Sequence, residues 1–64
     1  MKLINFVRHL RSHKCELLRQ GGNHSVYINT ENGKISSIPC HKEIKNNLCR
    51  KICKDLEISS PFYT

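Results

Sequence analysis

Leu3, Phe6, Val7 and Leu10 recur at the i, i+3, i+4, i+7 spacing of an amphipathic helix, with Asn5, Arg8, His9 and Arg11 mostly on the opposite face. The pattern predicts a helix over 2–13, with Lys14 near its C-terminus, where a cation suits the helix dipole. The period then changes. Residues 15–20 read as a strand with Leu17 and Leu18 between polar neighbours. Residues 23–28 read as a second, with Val26 and Ile28 on one side and Ser25 and Tyr27 on the other. Between them Gly21-Gly22 predicts a two-residue hairpin turn, because such turns need positive φ at their central positions. His24 shares the parity of Val26, which in a regular strand aims it toward the core side.

Thr30-Glu31-Asn32-Gly33 predicts a second turn, and residues 34–38 a third strand that Pro39 ends by removing a ladder donor. From Ile44, the residues Leu48, Cys49, Ile52, Cys53 and Leu56 line one helical face, while Lys45, Arg50, Lys51 and Lys54 lie largely off it. A helix over about 47–57 follows, with Asn46 or Asn47 as its N-cap. Residues 59–64, with Pro61, are expected to form a flexible tail after a single domain over 1–58. Two helices with one apolar stripe each and a sheet with one apolar face close most simply as an α+β two-layer sandwich. Both helices then cover one face of a three-stranded antiparallel sheet.

Composition narrows what such a domain can do. With 64 residues there is room for one small core and no cofactor domain; a chain of this size buries only about 60% of its unfolded surface. Large substrates must be held on the surface. Lys and Arg number 11 against 5 Asp and Glu, a net charge of +6 that favours a polyanionic partner, nucleic acid first. No apolar run approaches the ~20 residues that span a bilayer, and the N-terminal stretch lacks the apolar core of a signal peptide. The expected location is therefore the cytoplasm, with no membrane partner. There Cys15, Cys40, Cys49 and Cys53 are expected to be reduced thiols. Cys49 with Cys53, and His9 with His13, stand one helical turn apart and could chelate zinc, but the tight Cys-x-x-Cys knuckle of small zinc modules is missing.

The stretch 19–27 gathers the candidate chemistry. Glycines allow the chain to turn and a large ligand to come close, and His24 carries the side chain suited to proton transfer near neutrality. It reads equally as a turn histidine bonded to the backbone.

Over residues 3–58 the chain resembles the HicA family of small bacterial toxins, the mRNA interferases of HicA–HicB toxin–antitoxin systems. The features that carry the resemblance are the leading amphipathic helix, Leu-Leu-Arg-Gln-Gly-Gly-Asn-His at 17–24 with Tyr27 after it, Ile38-Pro39-Cys40-His41-Lys42, and the closing helix with Ile52, Leu56 and Ile58. The resemblance implies a double-stranded-RNA-binding-like α-β-β-β-α fold and metal-independent mRNA cleavage with no cofactor. It also implies a single catalytic histidine, falling on His24, and neutralisation by a HicB-like antitoxin. Three positions depart from the family pattern: Asn23 where many members carry Ser or Asp, Ser25 where they carry a second His, and Glu57 where a Gly usually caps the last helix.

RNA supplies its own nucleophile, the 2′-hydroxyl beside each phosphodiester. One histidine can remove that proton as general base, and nearby cations can offset the charge on the phosphorane. His24 is the candidate base. Arg19, Gly22, Asn23, Ser25, His41 and Lys42 are the candidate RNA-binding residues around it. His41 can serve as a second proton donor or as a structural residue where the last helix begins. Arg19, Lys34, Lys42 and Lys45 can equally form an ordinary solvated basic surface, and Tyr27 can stack on a base or simply pack. Two rivals remain on these residues: a non-catalytic RNA-binding module of the same fold, and a zinc-bound adaptor.

Overall fold

The computed structural model describes residues 1–62. The chain runs α1 (Leu3–Ser12), β1 (Cys15–Gly21), β2 (His24–Asn29), β3 (Ile35–Pro39), α2 (Asn46–Leu56). The strands form one antiparallel sheet in the order β1-β2-β3. This is the α-β-β-β-α order and three-stranded sheet of a double-stranded-RNA-binding-like fold.

Phe6 and Leu10 of α1 meet Cys49, Ile52, Cys53 and Leu56 of α2 over Cys15, Tyr27 and Ile38 of the sheet, and all are buried. Because facing residues in a ladder share a side, the pairs Cys15–Asn29, Tyr27–Ser36 and Ser25–Ile38 define the sheet face that the helices cover. The parity expected for β2 is thus inverted: Tyr27 and Asn29 are buried, and Val26 and Ile28 lie on the opposite, half-exposed face with Ile35. A polar residue is tolerated inside because it is fully engaged. The Asn29 amide donates to the Leu56 carbonyl at 2.8 Å, and its Oδ1 accepts from the Glu31 backbone at 2.9 Å. Asn32 donates to the same Leu56 carbonyl at 3.2 Å, so the β2–β3 turn caps the end of α2. Tyr27, buried, packs and is not placed to stack on a base.

Three boundaries differ from expectation. The hairpin turn is Gly22-Asn23, since Gly21 already pairs with His24. Gly22 has φ +44° and Asn23 is not among the positive-φ residues, the pattern of a type II′ turn, which needs glycine only at its first central position. Pro39 is the last residue of β3 and does not lie beyond it. Cys40 donates to the Asn23 carbonyl at 2.8 Å, so the intervening nitrogen at 39 faces away from β2 on an edge strand, where no donor is needed. The N-cap of α2 is Lys45, without a side-chain cap bond, and neither Asn46 nor Asn47 fills that position.

At its far end α2 closes on Glu57 in the left-handed region, φ 58°, with Glu57 N–H bonded to Lys54 and Ile58 N–H to Cys53. This Schellman closure favours glycine, and a non-glycine residue there costs about 1–2 kcal/mol in the dihedral alone. The exposed Lys34–Glu57 pair at 3.9 Å offsets little of it. Glu57→Gly is therefore expected to raise stability by about 1 kcal/mol, seen as a thermal midpoint about 4–8 °C higher. An unchanged or lower midpoint would contradict the assignment. Beyond Ile58, Phe62 packs against the core and the Ser59 carbonyl accepts a hydrogen bond from His9 Nε2 at 2.7 Å. Tyr63 and Thr64, the end of the expected tail, lie outside the described residues.

Three of the four thiols belong to the core. Burial pushes Cys15 and Cys49 above the ordinary thiol value near 9. Burial pushes Cys53 to about 11, with Cys49 and then Cys15 nearby adding to the shift. All four cysteines are free thiols, and Cys40 alone is exposed. Below pH 9 these buried thiols are neutral in both folded and unfolded chains. Above it the unfolded chain loses protons that the folded core retains, so stability is expected to fall as pH rises from about 9 toward 11. Cys40 is expected to react with a thiol reagent in native protein while the other three react only on unfolding. Equal reactivity of all four would overturn this.

Candidate active site

The β2–β3 ladder continues one residue past β3 through the Cys40–Asn23 hydrogen bond, and this extension creates the site. His24 faces Pro39 across the two strands, and His41 follows two residues on, just past the end of β3. On β1 the residue opposite His24 is Gly21, and Arg19, paired with Val26, is the diagonal neighbour. Arg19 on β1 and His24 on β2 therefore share one side of the sheet, and His41 follows in the segment just past β3. Diagonal neighbours have Cβ atoms up to about 7–8 Å apart, within reach of long side chains. The register depends on a bulge: between Leu17 and Arg19 the pairing shifts by one, which returns Arg19 to the His24 side.

His24 is exposed, on the parity opposite to the core residues of β2, correcting the expectation that a regular strand would aim it inward. It lines an open cavity of about 440 Å³ with Pro39, His41, Glu43, Ile44, Lys45 and Leu48. The walls come from the end of β3, the connecting segment and the first turn of α2. That connection is pinned from the N-terminal side. Leu3 N–H donates to the Lys42 carbonyl and Ile44 N–H to the Met1 carbonyl, both at 2.8 Å, around a Lys2–Glu43 bridge.

The formally charged groups on the cavity wall are one cation, Lys45, and one carboxylate, Glu43, beside the N-terminus of α2. α2 is N-capped by Lys45 and has no acidic residue in its first turn. A cation at a helix N-terminus costs a few tenths of a kcal/mol in helix stability, and it adds to the positive potential of the free N–H groups. Glu43 is the one acidic group on the wall.

The other expected site residues are placed unevenly. Gly22 and Asn23 form the turn beside His24, and a Cβ built at Gly22 would meet nothing within 4 Å, so a bulky ligand can approach the backbone there. Ser25 lies on the opposite parity, with its hydroxyl 3.3 Å from Cys40 Sγ. Lys42 faces a neighbouring, more apolar cavity with Lys2, Leu3, Ile4 and Glu43. Lys45 and Glu43 are brought to His24 by the fold. Lys45 was visible in the sequence only as one of many basic residues, and Glu43 carried no signal.

The pairs considered for zinc are used otherwise. His9 Nε2 donates to Ser59, and His13 Nδ1 donates to the His9 carbonyl at 3.1 Å. Cys49 and Cys53 are core. Among the described residues no group of three or more His, Cys, Asp or Glu side chains is arranged to hold a metal ion.

Fold and site together define a small basic α+β protein with a double-stranded-RNA-binding-like frame and two histidines on one open cavity. Residues 5–58 match the family model described as HicA toxin of bacterial toxin–antitoxin. The chain belongs to the HicA toxin family, which makes it the toxin side of a toxin–antitoxin system and implies an antitoxin partner. Neither the curated proteins nor the solved structures compared with it gave a match. Among the described residues no helix is long and apolar enough to cross a membrane.

Proposed function

We propose that the protein is a metal-independent endoribonuclease that cleaves mRNA in the cytoplasm through His24, and that a HicB-like antitoxin holds it inactive. The observation that carries this reading is the exposed His24, with Arg19 its diagonal neighbour on β1 and His41 and Lys45 lining the same cavity. His24 takes the proton of the 2′-hydroxyl. The oxygen so freed attacks the adjacent phosphorus, and Arg19 and Lys45 offset the negative charge that grows on the phosphorane. Gly22 leaves room for the sugar–phosphate backbone, and Lys42 extends the cationic surface along it. RNA held this way is bound through phosphates and 2′-hydroxyls, with little sequence preference from these contacts. The catalytic unit is the single domain over 1–58.

The test is cleavage of RNA by purified protein in excess EDTA, wild type beside His24→Ala. Cleavage by the wild type alone supports the reading. If the wild type binds RNA without cutting it, the protein is a non-catalytic RNA-binding module of the same fold; loss of cleavage in EDTA would assign the chemistry to a metal.

A further inference from the structure

We propose that His41 is the general acid of the same reaction, so that the site works as a two-histidine ribonuclease. The proposal rests on the assignment of His24 as base and adds the group that releases the leaving strand. Transesterification needs two proton transfers. As the 2′-oxygen forms its bond to phosphorus, the bond from phosphorus to the 5′-oxygen breaks on the opposite side. His24 accepts the proton from the 2′-hydroxyl, and His41 in its cationic form donates one to the departing 5′-oxygen. The products are a 2′,3′-cyclic phosphate and a free 5′-hydroxyl, with no water, metal or oxidant consumed. Proton donor and acceptor must therefore stand on opposite sides of one phosphate.

The register supplies that separation. His24 is paired with Pro39, and His41 lies two residues beyond that partner, past the end of β3, with both histidines lining the same cavity. Directly opposed residues, at about 4.5–5.5 Å between Cβ atoms, would bring the two rings into contact, and the offset of His41 by two residues leaves a gap for a phosphate. Pro39, with no rotatable polar chain, leaves that gap unfilled. His41 is held by a segment tied at both sides, through Cys40 to Asn23 and through Lys42 to Leu3. It is exposed and makes no side-chain hydrogen bond among the described residues, so its ring is available to a ligand. The charged groups around the pair are Glu43 and Lys45 on the cavity wall and Arg19 on β1, beyond His24.

Two substrates separate an acid from a merely structural residue: ordinary RNA, and the same oligonucleotide with sulfur in place of the bridging 5′-oxygen at one linkage. A thiolate leaves without a proton. His41→Ala is expected to slow ordinary RNA cleavage by about 10²–10⁴-fold and the sulfur-bridged substrate by no more than about tenfold. His24→Ala is expected to slow both. The wild-type rate should rise and then fall with pH. His41→Ala should lose the alkaline fall and keep the acidic rise, while Glu43→Gln keeps both limbs. Cleavage of the sulfur-bridged substrate also certifies that the variant is folded. Ordinary RNA cut at the wild-type rate by His41→Ala, or both substrates slowed alike, would overturn the proposal while leaving His24 as base. A wild type that cuts neither substrate would overturn both assignments together.

Discussion

His24→Ala is expected to lower RNA cleavage by about 10²–10⁴-fold, the usual contribution of a positioned general base. The toxin should then no longer arrest growth when expressed without its antitoxin. Stability should stay within about 0.5 kcal/mol of the wild type, because exposed side chains away from caps and networks contribute little. His24 is exposed at the first position of β2 and makes no side-chain hydrogen bond among the described residues. The backbone that places it is fixed by its neighbours, through the Gly21–His24 and His24–Pro39 pairings and the Gly22-Asn23 turn. Removal of the ring therefore leaves the site's frame in place. A variant that unfolds, or one that still arrests growth at wild-type expression, would refute the assignment. Measuring the melting transition beside cleavage tells the two failures apart.

Much of the fold is legible in the one-dimensional pattern because both helices carry an unbroken apolar stripe, and each stripe has a single packing solution. Phe6 and Leu10, then Cys49, Ile52, Cys53 and Leu56, are the residues that periodicity selects and the residues that are buried. The sheet is less legible. Val26 and Ile28 look like the inward set, but Tyr27 and Asn29 take that side. The decisive interactions are the Asn29 and Asn32 bonds to the Leu56 carbonyl, between segments 24 to 27 residues apart. No local pattern records them. A reversed parity moves every side chain of the strand to the other face, and it is this reversal that exposes His24.

The site divides in the same way. His24 and its glycine turn are local and can be read directly, as can His41 beside Pro39. Their alignment with Arg19 is not local. It requires the bulge at Leu18, which resets the register by one residue, and the extension of the ladder to Cys40. Lys45 gains its role from being the N-cap of α2, a position that an asparagine would ordinarily fill better. The protein forgoes a good cap there and keeps a cation beside the histidines.

The same preference for positive charge over local stability sets the second large effect, the salt dependence of RNA binding. Arg19 on the His24 side of β1, Lys45 at the N-cap of α2, and Lys42 with Lys2 in the adjoining cavity are four candidate phosphate contacts. Four phosphate contacts on single-stranded RNA give a slope of log K against log salt near −3, at about 0.7 per contact. Affinity is then expected to drop roughly fiftyfold between about 50 and 200 mM salt. Arg19→Ala and Lys42→Ala should each flatten the slope by about 0.7 to 1 without changing which sequences are preferred, since phosphate contacts carry no base identity. The antitoxin is expected to bind the same cations with acidic groups, so both substitutions should also weaken its hold. Titrations of RNA and of antitoxin against each variant at several salt concentrations check the two halves separately. A slope unchanged by either substitution would make these residues ordinary solvated surface. A flattened slope with antitoxin binding intact would place the antitoxin elsewhere.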